Sequence, residues 1–146
     1  MVSRGPPRID LTPRHKRLSY HAARRVLEGI VDLERFHVSF VRANGPLGWL
    51  LRPTSVLGQY RALGSVPLQI RTKGKRAAVF LGRLPNSKIP IRLDTRLLRN
   101  RASLRAVARH EVAEVQAILR FEGKLVSPAD LQVLLEQADD LAYRME

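Results

Sequence analysis

The sequence predicts an α+β domain with an N-terminal helix, a small antiparallel sheet of three to five strands and two C-terminal helices. Three observations carry this: an apolar stripe at helical spacing early in the chain, segments of alternating character in its middle, and two further helical stripes at its end. With 146 residues, 45% of them hydrophobic, there is material for one core and too little for two ordinary domains. Residues 1–12 read as a flexible basic leader and residues 13–146 as the single domain.

Thr12-Pro13 has the form of an N-cap followed by proline at the first helical position, and Ala22, Ala23, Val26, Leu27, Ile30 and Val31 carry an apolar stripe toward Phe36. There the period changes to two. Phe36, Val38 and Phe40 face one way and His37, Ser39 and Val41 the other, a half-buried strand ending at Asn44-Gly45-Pro46. Trp49-Leu50-Leu51 has the composition of a short second strand, before a loop through Pro53 and Gly58. Val66, Leu68 and Ile70 alternate with polar neighbours; after a turn at Lys73-Gly74-Lys75, so do Ala77, Val79 and Leu81, which makes the clearest hairpin in the chain. A second turn leads to Ile89, Ile91 and Leu93, a strand that Pro90, lacking an N–H, places at a sheet edge.

Leu97, Leu98 and Asn100 then connect to a helix whose stripe is Leu104, Val107, Ala108, Val115, Ile118 and Leu119, with Gly123 as its stop. Ser127-Pro128-Ala129-Asp130 combines an N-cap, an N1 proline and an acidic third position. Leu131, Leu134, Leu135, Ala138, Leu141 and Met145 make the last helix amphipathic.

The absence of cysteine excludes disulfides, thiolate nucleophiles and cysteine-ligated zinc, so any metal must be held by His, Asp or Glu. Residues 1–13 are basic and proline-rich without an apolar h-region, and no run approaches the ~20 apolar residues of a membrane span, so the sequence predicts a soluble protein with no Sec-type signal of its own. The net charge of +13 is unevenly spread: residues 36–109 hold fifteen Lys/Arg against one acid, a balance of +14, whereas residues 110–146 hold three against eight, a balance of −5. A field of that sign attracts polyanions, of which nucleic acid, RNA or DNA, is the commonest; solvated charge, an acidic membrane surface or an acidic protein partner fits the same numbers. Arg71, Lys73, Lys75, Arg76, Arg92 and Arg99 are the candidate phosphate contacts. Trp49, Tyr20 and Tyr60 are not clustered as a base-stacking platform would require.

One stretch offers chemistry. His110-Glu111-x-x-Glu114 lies inside the apolar pattern of the penultimate helix, and at about 100° per residue Glu111 falls in the middle of the stripe while His110 and Glu114 share one flank. His110 and Glu114 are thereby placed to share a divalent metal or to act as an acid and base pair, and Glu111 is a carboxyl whose burial would raise its pKa. The structural alternative is an ion pair of Glu111 with an arginine and surface roles for the other two. Asp94, the only acid in residues 36–109, closes a strand just before this helix; site residue and cap of residues 95–98 are equally good readings of it. His21 and His37 are candidate partners from outside the motif. Asp130, Asp139 and Asp140 could add a ligand if the last helix packs against the penultimate one.

The succession Ile89-Pro90-Ile91-Arg92-Leu93-Asp94, Leu97-Leu98, His110-Glu111-x-x-Glu114, Gly123 and a closing helix resembles the C-terminal part of certain bacterial polymorphic toxin domains, over residues 89–146. The resemblance implies that His110, Glu111 and Glu114 are site residues, as on the helix of zincin-like metallopeptidases. It also implies action in the cytoplasm, delivery as the end of a larger secreted protein, and an acidic immunity partner. The chain departs from true zincins in lacking His-Glu-x-x-His and any histidine after position 110.

These readings combine into a nuclease-type effector domain. His110 would be general acid or base with Glu111 or Glu114 as partner, and Arg109 would stabilise charge on the scissile phosphate. The alternatives are a zincin-like peptidase, in which His110 and Glu114 bind metal and Glu111 activates water, and a non-catalytic nucleic-acid-binding protein.

Overall fold

The structure, a computed structural model, describes residues 9–47 and 63–144. The expected strand at Trp49-Leu50-Leu51, the loop through Pro53 and Gly58, the first eight residues of the leader and Met145 lie outside the described residues. The elements are α1 (Tyr20–Leu27), β1 (Phe36–Val41), β2 (Gly64–Ser65), β3 (Leu68–Lys73), β4 (Arg76–Leu81), β5 (Ile89–Asp94), a 3₁₀ turn (Thr95–Arg99), α2 (Arg101–Leu119) and α3 (Pro128–Arg144). This is the α+β arrangement of helix, strands and two closing helices that the periodicities predict.

Thr12-Pro13 does not start α1. Ser19 does, its hydroxyl accepting from the Ala22 N–H at 3.1 Å. Residues 14–17 are Arg-His-Lys-Arg and offer no apolar side chain to a helix face, so the chain runs on as a strap until Leu18 is buried. The strap is tied by Arg14 N–H to the Arg99 carbonyl (2.8 Å) and Leu18 N–H to the Leu98 carbonyl (2.9 Å). The tie extends into the expected leader: the Asn100 side-chain amide donates to the carbonyls of Asp10 and Thr12, both at 3.1 Å, and Ile9 and Leu11 pack against the core. Residues 9–12 therefore belong to the domain. At its other end α1 stops before Gly29, and Ile30 and Val31 finish its stripe by bonding back to the Leu27 carbonyl in a turn.

The expected antiparallel sheet is two small sheets. One has the order β1-β5-β2 and the other is the β3-β4 hairpin. β1 and β5 are parallel, Phe36 opposite Ile89 through Val41 opposite Asp94, and β2 joins β5 antiparallel at Gly64–Leu93 and Ser65–Arg92. Parallel pairing requires a long crossover, which residues 42–88 provide; alternation within a strand carries no information about which distant strand it meets.

β5 is thus central, against the edge position that Pro90 predicts. The Ile89 N–H bonds the Arg35 carbonyl on the β1 side and the Asp94 N–H bonds the Leu63 carbonyl on the β2 side, so the missing N–H of Pro90 faces the β2 side. β2 pairs only with Arg92 and Leu93, and Pro90 lies beyond its end. No ladder hydrogen bond is lost.

The hairpin falls where the turn residues place it, with Gly74 at φ +61°. Ala77, Ala78, Val79 and Leu81 of β4 are buried, whereas Gln69 to Lys73 of β3 are exposed. Beneath the strands, Leu27, Val31, Ile91, Leu93, Leu97, Leu98, Leu104, Val115 and Ile118 form the most deeply buried core. Burial of such a side chain contributes about 1.5–3 kcal/mol. Glu122, after α2, accepts from the Leu81 N–H (2.7 Å) and pairs with both terminal nitrogens of Arg83 (2.9 and 2.7 Å), closing α2 onto the hairpin. α2 ends at Leu119 with Arg120 as its cap, short of the expected glycine stop; Gly123, at φ +78°, is the left-handed residue of the turn that follows and donates to the Val79 carbonyl of the hairpin.

Candidate metal centre

α2 begins at Asn100, whose side-chain oxygen accepts from the Ser103 N–H at 3.1 Å. From that start the helical repeat turns Leu104, Val107, Glu111, Val115 and Ile118 to the core and leaves His110 and Glu114 on the flank that α3 covers. α3 starts at Ser127, whose hydroxyl accepts from the Asp130 N–H (3.1 Å), and buries Leu131, Ala138 and Ala142. The small alanines let the two helices approach closely, which brings Asp139 onto His110.

His110 Nε2 lies 3.2 Å from Asp139 Oδ1 and 3.3 Å from Glu114 Oε2. One donor atom from each of the three residues lies within 4.8 Å of the others, and no other such group of three His or acidic residues occurs among the described residues. Donors held about 2.1 Å from a tetrahedral ion stand roughly 3.4 Å apart, so the two shorter separations, hydrogen bonds as they stand, also match the spacing of ligands around one ion. The imidazole is buried, with 10% of its side chain exposed, while Asp139 is 43% exposed and keeps one side of the cluster open to solvent.

Glu111, next to His110 on α2, lies against the edge strand. Its Cγ and Oε1 lie 3.0 Å from where a Cβ on Gly64 would stand, as does Val107 Cγ1. Gly64 is therefore the residue that makes room for this carboxyl. Gly64→Ala is expected to displace Glu111 or β2 and to cost about 1–3 kcal/mol in a urea denaturation midpoint; an unchanged midpoint would mean the contact yields freely.

Burial, followed by the field of Glu114, raises the Glu111 pKa to about 8. Glu114 is raised as well, by burial. For His110 burial opposes protonation, but hydrogen bonds to Asp139 and Glu114 and the field of Glu111 outweigh it and raise the pKa to about 10. Both groups bind protons more tightly in the folded state. The Glu111 contribution to stability is complete below its ordinary value of 4.5 and is lost as pH rises through about 8. That of His110 is complete below 6.5 and is lost as pH rises through about 10. The Tm of chelator-treated protein is therefore expected to fall between pH 5 and pH 9, and a rise over that interval would contradict the assignment.

The other candidates are dispersed. Asp94 is fully buried but occupied: it accepts from the Arg96 N–H (2.8 Å), Nε (3.2 Å to each oxygen) and Nη2 (2.8 Å), so its position is that of a cap and ion pair outside the His110 cluster. Arg109 is exposed on the outer face of α2. Arg71, Lys73, Lys75 and Arg76 are exposed on the hairpin, where the Arg71 guanidinium lies 4.9 Å from the Phe80 ring centre. Arg92 is half-buried, and that burial lowers its pKa; Arg99 is exposed beside the strap. His21 is exposed on α1, and His37 lines a separate cavity. Of the three acids offered by α3, Asp139 alone joins the cluster. Gly64 was not a candidate, because its contact with Glu111 spans distant parts of the sequence.

No family model, curated protein or solved structure matches this chain. Among the described residues no helix is long and apolar enough to cross a membrane.

Proposed function

We propose that the chain is a metal-dependent hydrolase acting on nucleic acid, with His110, Glu114 and Asp139 holding a divalent cation. The observation that carries this reading is the arrival of Asp139 from α3 at 3.2 Å from the imidazole that Glu114 already faces. Two carboxylates and an imidazole suit a hard or borderline divalent ion, and three protein ligands with one open side is the usual composition of a catalytic site. Such an ion, when bound, supplies Lewis-acid activation of water and of the scissile group.

An imidazole held between two carboxylates serves better as a ligand than as the free general acid of a metal-independent nuclease. The chain's remaining contribution is Glu111, a buried carboxyl adjacent in sequence to the ligand His110. Its raised pKa makes it a group that accepts and returns a proton near neutrality.

Charge supports a phosphodiester substrate. Arg101, Arg105 and Arg109 are all exposed on α2 and recur at four-residue spacing, and the hairpin adds Arg71, Lys73, Lys75 and Arg76. Three carboxylates alone would repel a phosphate, so the ion is required both for binding and for turnover. The resemblance to polymorphic toxin domains would make the chain the effector end of a larger secreted protein, acting in the cytoplasm and opposed by an acidic immunity protein.

The test is incubation of chelated and metal-reloaded protein with tRNA, total RNA, plasmid DNA and casein. Cleavage of nucleic acid only after reloading with zinc, manganese or magnesium is expected. Cleavage of casein would replace the substrate by peptide, cleavage in chelator would remove the metal, and salt-sensitive binding without turnover would leave a non-catalytic nucleic-acid-binding protein.

A further inference from the structure

A cavity of about 150 Å³ opens where α1 passes the start of β1, lined by Arg24, Leu33, Phe36, His37, Val38 and Lys88. Three of the six residues are basic and none is acidic. The Lys88 ammonium is fixed at the wall by donating to the Leu33 carbonyl at 2.8 Å, which leaves its other protons for a second acceptor. Neither the Arg24 guanidinium nor the His37 ring makes a hydrogen bond or ion pair among the described residues, although Glu28 stands one helical turn from Arg24. The volume corresponds to about five waters at ~30 Å³ each, enough for a phosphate group and well under the ~300 Å³ at which ligand-sized pockets begin.

We infer that this cavity is a phosphate-binding site, in which Arg24, Lys88 and His37 donate to the phosphate oxygens beside Leu33 and the start of β1. Arg24 presents a fork suited to two oxygens of one phosphate, and Lys88 adds a fixed point charge. Its residues are separate from the His110 cluster, so the inference stands whether or not that cluster binds metal. The phosphate could be that of a free monoester or of a nucleic-acid backbone.

The test is titration of chelator-treated protein with inorganic phosphate, adenosine 5′-monophosphate and a short oligonucleotide lacking terminal phosphates, at constant ionic strength maintained with chloride, followed through the His37 ring resonances. A saturable shift is expected with inorganic phosphate. Saturation by the monophosphate alone would identify a monoester ligand, and saturation by the oligonucleotide a backbone phosphate. Arg24→Ala, on an exposed helix position, and Lys88→Met should each weaken binding at least about tenfold, the loss of one charge-assisted contact at roughly 1.4 kcal/mol or more. Arg25→Ala, on the neighbouring exposed arginine, should leave binding unchanged, as should Asp139→Asn. A shift that never saturates, equal weakening by Arg25→Ala, or unchanged binding by Arg24→Ala in protein of unaltered Tm would overturn the inference.

Discussion

Asp139→Asn is expected to abolish divalent-metal binding and hydrolysis together while leaving the fold in place. The asparagine keeps a neutral oxygen near His110 but removes the charge that makes Asp139 a ligand. Because Asp139 also holds the charge of the buried His110, the metal-free protein should lose about 1–3 kcal/mol at neutral pH and still fold. Loss of an outer-shell partner typically weakens metal binding 10–100-fold. Loss of one of three direct ligands should therefore cost more than about 100-fold, read by titration with zinc or manganese against a competing chelator. Glu111→Gln supplies the contrast: affinity within about tenfold of the parent and turnover lost, as expected of a group that moves a proton without holding the ion. Wild-type metal affinity in Asp139→Asn would sink the proposed centre, since that carboxylate is what turns a common helical pair into a three-ligand site.

The second large effect concerns stability. Asn100→Ala is expected to destabilise the domain by about 3 kcal/mol, roughly 10 °C in Tm for a chain of this size. The side chain caps α2 through the Ser103 N–H and holds the strap through the carbonyls of Asp10 and Thr12. Loss of an N-cap costs ~1 kcal/mol, and loss of the two partly buried hydrogen bonds to the strap costs ~1 kcal/mol each, the Asp10 carbonyl keeping the Ser103 hydroxyl as a donor. A thermal or urea midpoint lowered only by the cap's share would mean that residues 9–12 contribute nothing to stability. Asn100→Asp separates the two roles, because aspartate can still accept from Ser103 but cannot donate to the strap.

Where structure follows from neighbours in sequence, it was legible. Ser127-Pro128 starts its helix, Gly74 makes its turn, and His110 and Glu114 share a flank because positions four apart always do on a helix. What depended on distant segments was not. Thr12-Pro13 is a good local cap, overridden because the strap finds hydrogen bonds on the 3₁₀ turn and the start of α2. Pro90 reads as an edge residue because nothing in its surroundings reveals that β2 covers only the far half of β5. The helical period of α3 nominates Asp130, Asp139 and Asp140 alike; only the contact of α3 with α2 selects one of them. Leu141, counted in the apolar stripe, is 42% exposed because the packed face turns on Ala138 and Ala142 instead.

The parallel pairing of Phe36 with Ile89 has a consequence for how the molecule comes together. The β3-β4 hairpin needs only a two-residue connection, so it can form within microseconds as soon as its own residues are available. The three-stranded sheet must first close a loop that contains the hairpin, losing chain entropy before any contact compensates. That closure sets the pace of sheet formation, and the platform against which Glu111 lies is completed only after the least local strand pairing among the described residues has been made.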